Sequence, residues 1–489
     1  MFCQLFLQKV SRRSPFLLLY FFELFVWEGW VFLRPEAAAD VRSIDSDNIF
    51  AEWLAEYESG PPVWWFEMVK GPGAFRVLAF RDTGRLSDRR LVDQAPVIVI
   101  IDSGVDEDHP SLKGKLWQNP RPGAAGCFRD KWGCNVTQSF PGMPFGMGPA
   151  RPPFLRRPGE SCPGEKDGGG FSEELSCRHG TMLAALVAGD IRNGIPGMCP
   201  LCKIFPVRIV RDSARDGRSA DSELLKAFRY VRKLRESHAP AIRIVAVAYG
   251  KFSDSREMQA ELRALDNSGI LVIAAAGNAA LQDEVYPAAY PTVLSVTALG
   301  RDGRKSWFSN FGPWVDIAAP GGNSLPEDDE ETASQEMILS AVPGGAFALA
   351  QGSSIAVPIV AALAGLVLTI EPGLSAADLK QRLIQTADQN LYGEEMAGGA
   401  NQIWLRELSD QRMVRLLGAG LPDAVSALKG DTDGKAESEE ETDPVFPVCG
   451  VIGHRQESSF RLSALLLSFL LILPFLAGAM SMVCKRLMR

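Results

Sequence analysis

The sequence predicts an α/β fold with a mainly parallel central sheet and helices on both faces of that sheet. Three segments, "PVIVIID", "AIRIVAVAYG" and "GILVIAAAGN", are apolar without alternation, which is typical of fully buried strands. Two helical patterns, "SELLKAFRYVRKLRESH" and "REMQAELRALDNSG", each precede one of the last two strands. Because strands that alternate with helices pair in parallel through right-handed crossovers, we expect three layers.

The first residues are typical of an export signal. A basic start is followed by an apolar stretch from Pro15 to Leu33 and by the small residues Ala37 to Ala39, which predicts a cleaved signal peptide over residues 1–39. An uncleaved N-terminal anchor is the alternative, and it is weakened because Glu23 and Glu28 interrupt the apolar stretch.

The last residues predict a membrane anchor. Residues 429–461 begin with "KGDTDGKAESEEETDP", an acidic stretch that predicts a solvated linker. Residues 462–484 carry no charge and are long enough to cross a hydrocarbon core about 30 Å thick, so they predict a transmembrane helix. The basic residues 485–489, "KRLMR", are expected in the cytoplasm, with the main domain on the other side of the membrane.

The charge balance argues against nucleic acid as a partner. The 489 residues include 51 basic and 59 acidic side chains, for a formal net charge of −8. A surface that binds a polyanion would require an excess of lysine and arginine. We therefore expect no nucleic-acid partner.

Cysteines cluster in one window of the exported region. An even number of cysteines in an exported domain predicts three disulfides, although spacing alone leaves about 15 pairings open. The close pair in "MCPLCK" also fits half of a zinc site, but no second Cys-x-x-Cys or His-x-His accompanies it. The clustered residues are Cys127, Cys134, Cys162, Cys177, Cys199 and Cys202.

A serine pair, Ser353 and Ser354, begins the apolar stretch "SSIAVPIV" and raises the question of a nucleophile. A serine nucleophile needs a base, a carboxylate that orients the base, and donors for the oxyanion. His179 is the candidate base, because it opens "HGTMLAALVAG" at the start of a predicted helix. The other histidines, in a turn, a charged helix tail and the juxtamembrane segment, are His109, His238 and His454.

Polar residues follow two predicted strands at the edge where parallel sheets bind ligands. Asp102 ends the first strand, and Gly277-Asn278 follow the third. The chain order Asp102, His179, Ser354 excludes the α/β-hydrolase arrangement, in which the serine comes first and the histidine last. It is the order found in subtilisin.

Four stretches in this order resemble the subtilisin-like serine proteases. "VIVIIDSGVDEDHPSL" is similar to the segment of the family's catalytic aspartate and matches Asp102, and "RHGTMLAALVAG" is similar to its histidine segment and matches His179. "VIAAAGN" resembles the stretch that supplies the oxyanion-hole asparagine, here Asn278, and "GSSIAVPIVAALAGL" resembles the serine segment, with Ser354 as nucleophile. The resemblance covers residues 94–428 and implies the three-layer subtilisin-like fold.

The resemblance also implies how substrate binds. Peptide substrate is expected to lie along Tyr249, Gly250, Ala276 and Gly277, partly by backbone pairing. Ser353 is expected to be a small spacer, and the helix that follows it is expected to carry its proline in the first turn.

The chain departs from the family's pattern in several places. A cysteine-rich insertion at about 120–178 is expected to form a disulfide-stapled surface flap near the active site. Ser111 stands where many relatives place a calcium-binding aspartate, so a structural calcium ion is in doubt; no cofactor is expected to be required and no metal is expected in the catalytic site. Residues 40–93 are short for the family's prodomain and are either a truncated prodomain or an extension wrapped around the catalytic domain.

These features together predict a membrane-tethered serine endopeptidase that faces away from the cytoplasm and cleaves protein or peptide substrates. The alternative is a catalytically inactive module that uses the same cleft to bind peptides. The order of signal, catalytic domain and C-terminal membrane helix is similar to that of the mycosins of bacterial secretion systems, in architecture only.

Overall fold

The computed structural model describes residues 49–80, 95–137, 146–147, 177–210, 220–392, 402–405, 412–415 and 417–430. The chain divides into two units, residues 1–434 and 435–489, and the described residues belong to the first. The predicted signal peptide, transmembrane helix and basic tail lie outside the described residues.

The strands of the first unit are β1 (Val97–Asp102), β2 (Cys127–Phe128), β3 (Cys134–Asn135), β4 (Gly146–Met147), β5 (Lys203–Arg208), β6 (Ile242–Val247), β7 (Leu271–Ala275), β8 (Val293–Leu299), β9 (Ile317–Pro320), β10 (Ile338–Val342), β11 (Ala346–Ala350), β12 (Gln402–Leu405) and β13 (Arg412–Arg415). Seven of them form one parallel sheet in the order β3-β5-β1-β6-β7-β8-β9. β10 and β11 form an antiparallel hairpin, and so do β12 and β13.

The helices are α1 (Ile49–Ser59), α2 (Trp64–Met68), α3 (Gly71–Phe80), α4 (His179–Ala188), α5 (Ala220–His238), α6 (Arg256–Asn267), α7 (Glu330–Glu336), α8 (Ser353–Ile370), α9 (Ala376–Gln385) and α10 (Ala424–Lys429). Short 3₁₀ turns occur at Pro110–Leu112, Ile191–Asn193 and Asn390–Tyr392.

Both faces of the sheet are buried, which confirms the predicted three-layer fold. In β1, Ile98 and Ile100 pack into the core that contains α4 and α8, whereas Val97, Val99 and Ile101 pack into the core that contains α5 and α6. This alternation follows from the period of two residues in a strand.

Helix α8 is the central helix of one layer. Among the described helices it is the one long and apolar enough to cross a bilayer, and 89% of that stretch is buried inside the protein. Since a core helix surrounded by other elements is apolar all round, its composition is explained by packing against the sheet.

The sequence led us to expect that the cysteine-rich insertion forms a surface flap. Its described part instead belongs to the main sheet. Its strand β3 pairs with β5, so that the insertion supplies an edge strand of the main sheet. Cys127 and Cys134 form a disulfide and are fully buried in the core on that side. The edge of β5 offers unpaired backbone N–H and C=O groups, and β3 forms hydrogen bonds with them that a detached flap would form with water.

A second disulfide joins Cys199 and Cys202, which excludes the zinc alternative for this pair. It packs directly on α8: a Cβ at Gly365 would lie 2.4 Å from Cys202 Sγ, so the helix and the disulfide meet at a residue without a side chain. Cys177 is also disulfide-bonded, and Cys162 lies outside the described residues.

Helices α1–α3 pack against the rest of the first unit. Their aromatic rings contact one another edge to face, with Phe66 5.1 Å from Tyr57 and 5.2 Å from Phe75 between ring centroids, and they join the same core as α8. Lys70 Nζ contacts Asp423 Oδ2 at 2.6 Å, just before α10. Both expected alternatives for residues 40–93, a truncated prodomain and an extension wrapped around the domain, stay predictions.

We predict that Phe66→Ala lowers the free energy of unfolding by about 3–5 kcal/mol, because the fully buried ring would leave a cavity between α1, α2 and α3. Urea unfolding of the full chain measures the effect. Arg76→Ala is the control, since this exposed side chain forms a surface ion pair with Glu58 worth at most about 1 kcal/mol. Equal stability of the Phe66 variant and its parent would show that α1–α3 are not part of the cooperative unit.

Candidate active site

Asp102 and His179 meet at the carboxyl edge of the sheet. Asp102 is the last residue of β1, and its Oδ2 accepts a hydrogen bond from His179 Nδ1 at 2.8 Å. Its other oxygen, Oδ1, accepts the Ser103 backbone N–H at 2.7 Å, which holds the carboxylate in this orientation. Both oxygens of a largely buried carboxylate therefore have donors.

Close backbone packing brings His179 to this place. His179 begins α4, and the next residue, Gly180, donates its N–H to Ser103 Oγ at 3.1 Å. A Cβ on Gly180 would lie 2.2 Å from the Gly104 carbonyl oxygen, so a larger residue would push the helix away from β1. Glycine at position 180 is therefore needed for the hydrogen bond between His179 Nδ1 and Asp102 Oδ2.

Ser354 lies opposite, in the first turn of α8. His179 Nε2 is 3.0 Å from Ser354 Oγ, which completes a chain of hydrogen bonds from carboxylate to hydroxyl. Pro358 lies in the second turn of α8 and not in the first, because the helix begins at Ser353. The Pro358 nitrogen has no hydrogen to donate to the Ser354 carbonyl four residues earlier.

The β10–β11 hairpin leads directly into Ser354, and the segment after β1 holds its tip. Asp106 Oδ2 accepts the Gly344 N–H at 2.9 Å. His109 Nδ1 accepts the Ser111 N–H at 3.1 Å, so its proton is on Nε2, which donates to the Ala346 carbonyl at 3.0 Å. His109 is thus a buried structural residue, and burial lowers its pKa.

The charge of Asp102 decides the protonation of His179. Burial of the ring disfavours the imidazolium and by itself would lower the pKa, but the Asp102 carboxylate, through its charge and its hydrogen bond, outweighs burial and raises the pKa of His179. A base with a raised pKa takes a proton more readily from a hydroxyl group.

Asn278 follows β7 and lies beside Ser354. Its Oδ1 accepts two hydrogen bonds from Ser353, one from the backbone N–H at 2.8 Å and one from the hydroxyl at 2.9 Å. Because Oδ1 faces Ser353, the amide nitrogen Nδ2 points away from Ser353. Nδ2 and Ser354 Oγ border the same space beside Gly352, since a Cβ built on that glycine would lie 3.2 Å from Nδ2 and 3.0 Å from Oγ.

Ser353 is more than the spacer that the sequence predicted. It is fully buried, and its Oγ accepts the Gly277 N–H at 3.0 Å while donating to Asn278 Oδ1. The first serine of the pair therefore orients the amide beside the second. No sequence signal indicated this role of Ser353, because its partners Asn278 and Gly277 are 75 and 76 positions away in the chain.

The four residues expected to bind substrate border the same edge. Tyr249 and Gly250 follow β6, and Ala276 and Gly277 follow the neighbouring strand β7. A Cβ on Gly250 would lie 2.4 Å from Val285 Cγ1, so an aliphatic side chain bounds the space next to this glycine.

Ser111 and its neighbours are hydrogen-bonded within the protein. The Ser111 hydroxyl donates to the Asn193 carbonyl at 2.6 Å, and the nearby Asp190 carboxylate is paired with the Arg192 guanidinium at 2.8 Å. The doubt about a structural calcium ion stays a prediction. Within the described residues no cluster of three metal-binding side chains occurs. That catalysis requires no cofactor stays a prediction.

This part of the chain is similar to known proteases. A model of the subtilase family matches residues 93–420. The thermostable alkaline protease of Halalkalibacterium halodurans is 28% identical over 231 residues, which are 46% of this chain and 58% of that protein. Subtilisin BL of Lederbergia lenta is 28% identical over 241 residues, which are 48% of this chain and 77% of that protein.

A solved structure shows the same fold. A protease from Pseudoalteromonas arctica superposes with a TM-score of 0.50 at 21% identity, covering 70% of this chain and 92% of that one. The chain spans little more than half the length of the first curated relative, at 58%, so what those relatives do as whole proteins is a separate question.

We predict that His179 titrates above its ordinary value of about 6.5 and that Asp102→Asn brings its pKa below that value, because burial then acts without the carboxylate. Imidazole nitrogen NMR of the Ser354→Ala protein against pH measures both. His109 is the control, since it does not contact Asp102 and its pKa should not move. Identical titration of His179 with and without the carboxylate would contradict the electrostatic account.

Proposed function

This chain belongs to the subtilase family, and we propose that it is a serine endopeptidase that acts through Asp102, His179, Ser354 and Asn278. The observation that carries the proposal is the unbroken hydrogen-bond chain from the Asp102 carboxylate through both ring nitrogens of His179 to the Ser354 hydroxyl. A nucleophile, a base and a group that orients the base are what acyl transfer requires.

The first half of the reaction acylates Ser354. Because Asp102 accepts at Nδ1, the neutral ring carries its proton there and presents a lone pair on Nε2. Ser354 Oγ forms a bond to the scissile carbonyl carbon, its proton moves to His179 Nε2, and the carbonyl π electrons move to the oxygen. When the C–N bond breaks, the imidazolium gives that proton to the leaving amine.

The second half repeats these steps with water. Water attacks the acyl carbon and gives its proton to His179 Nε2, and the proton then returns to Ser354 Oγ as the C–O bond breaks. The products are a carboxylic acid, an amine and the free enzyme. Asp102 stays ionised throughout and stabilises the imidazolium that forms twice in each cycle.

Two donors support the proposed stabilisation of the developing oxyanion. Asn278 Nδ2 borders the same space as Ser354 Oγ, and the Ser354 backbone N–H stands in the first helical turn, where N–H groups lack acceptors within the helix. Donors fixed before the reaction begins stabilise charge that appears only in the transition state.

The alternative of an inactive peptide-binding module is not favoured. Such a module would be expected to lack at least one catalytic side chain, and here all four are present at hydrogen-bonding or neighbouring positions. The segments after β6 and β7 would bind an extended peptide in either case, so cleavage is the property that separates the two.

The proposal extends to where the enzyme acts. Residues 462–484 carry no charge and are followed by "KRLMR", which supports a single-pass anchor with the catalytic domain on the non-cytoplasmic side. Disulfides at Cys127–Cys134 and Cys199–Cys202 support the same oxidising compartment.

We predict that Asn278→Ala lowers kcat by about 10²–10³ with KM little changed, because the lost donor acts on charge present only in the transition state; the magnitude is that known for the equivalent donor of a related subtilisin. Steady-state kinetics on a peptide substrate and a thermal midpoint on the same preparation measure it. Ser354→Ala should lose far more activity, since the acyl-enzyme route disappears. An unchanged kcat would remove Asn278 from the mechanism.

We also predict that removal of residues 462–489 releases a soluble protein with unchanged kcat/KM, because the matched family region ends at 420 and the acidic linker follows it. Fractionation of cells into membrane and soluble parts, with a peptide assay on each, tests this. A truncated protein that folds but does not cleave would show that the segment does more than anchor.

A further inference from the structure

The loop that carries Asn278 leaves the sheet and is open to solvent. Asn278, Ala279 and Ala280 are exposed, and they follow Gly277, whose backbone φ of 102° lies in the left-handed region. The Asn278 amide can stabilise an oxyanion only if the loop holds it in place, because a displacement of about 1 Å can reduce a catalytic rate by about 10²-fold. Something outside the loop must therefore hold it.

Asn310 makes contacts on both sides of Asn278. Its Nδ2 donates to the Ala276 carbonyl at 2.9 Å, and its Oδ1 accepts the backbone N–H groups of Ala279 at 2.9 Å and Leu281 at 3.0 Å. Its own backbone N–H donates to the Gly277 carbonyl at 2.9 Å. One residue thus binds the loop before and after the oxyanion donor.

Asn310 is itself held firmly. It is 1% exposed, and its carbonyl accepts the Thr297 hydroxyl of β8 at 2.7 Å. The Asn310 side chain also fills the space next to Gly277, where a Cβ would lie 2.6 Å from Nδ2. Backbone hydrogen bonds such as that from the Ala280 N–H to the Phe308 carbonyl, at 2.7 Å, also hold the loop. The Asn310 amide is the buried side chain that bonds to the loop on both sides of Asn278.

We propose that Asn310 is a positioning residue for transition-state stabilisation, acting through the 276–281 loop on the Asn278 amide. This rests on the proposed function. Asn310 does not touch Ser354 or His179 and is not expected to contact substrate. Ser353 fixes the amide of Asn278 from the side of α8, whereas Asn310 fixes its backbone from the side of β8 and β9.

The test is a double-mutant cycle with Asn310→Ala and Asn278→Ala in the full chain, with kcat calculated per active site after titration with a fluorophosphonate. We expect Asn310→Ala to lower kcat by about 10- to 100-fold with KM little changed. In the Asn278→Ala background the same substitution should cause almost no further loss of kcat, because the donor that it positions is already gone.

Ser309→Ala is the matched control. Ser309 is a fully buried neighbour whose Oγ bonds to Thr297 Oγ1 at 2.8 Å and to the Ala298 N–H at 2.9 Å, with no bond to the 276–281 loop. It should lower the thermal midpoint but leave kcat unchanged. If Asn310→Ala does not fold, Asn310→Asp keeps the acceptor for Ala279 and Leu281 but not the donor to Ala276, and it should show the same pattern with a smaller loss.

The outcomes separate this inference from the proposed function. An unchanged kcat in the Asn310 variants, a loss equal to that of Ser309→Ala, or a full additional loss in the Asn278→Ala background would each overturn the positioning role while leaving the protease intact. If the folded wild-type chain cleaves no peptide, the proposed function fails and the positioning role fails with it.

Discussion

The hydrogen bond of 2.8 Å between Asp102 and His179 is the contact on which the arrangement of the site depends. It joins the end of β1 to the start of α4, two elements that are 77 residues apart in the chain. It also sets the proton on Nδ1 and directs the free lone pair of His179 towards Ser354. The close approach of Gly180 to the Gly104 carbonyl allows this distance, and so does the position of Asp102 at the carboxyl edge of the sheet.

Buried polar residues hold the segments that carry the proposed reacting groups. Ser353 and Asn310 hold the Asn278 loop from two sides, and Asp106 holds the hairpin that leads to Ser354. Each of these side chains is buried and hydrogen-bonded. If one of them moved, buried donors or acceptors would lose their hydrogen-bond partners, and water could not replace those partners. The geometry of the exposed site is thus determined by hydrogen bonds that lie beneath it.

The sequence could predict the three-layer fold, because apolar strands without alternation require cover on both faces. It could also indicate Asp102, His179 and Ser354, because each opens or ends an element with a recognisable pattern. It could not predict the roles of Ser353 and Asn310, since these depend on side chain to backbone bonds between distant segments, which leave no periodic signal. The paired strand β3 was missed because two residues are too few to show a pattern.

Labelling with a fluorophosphonate, followed by fragmentation of the modified peptide, identifies the nucleophilic serine. We expect the folded chain to be labelled at Ser354 and not at Ser353, since of these two serines only Ser354 has its Oγ bonded to His179 Nε2. We also expect His179→Ala to remove most of this labelling, because the hydroxyl then has no base. A folded chain that is not labelled, or that is labelled equally well without His179, would contradict these expectations.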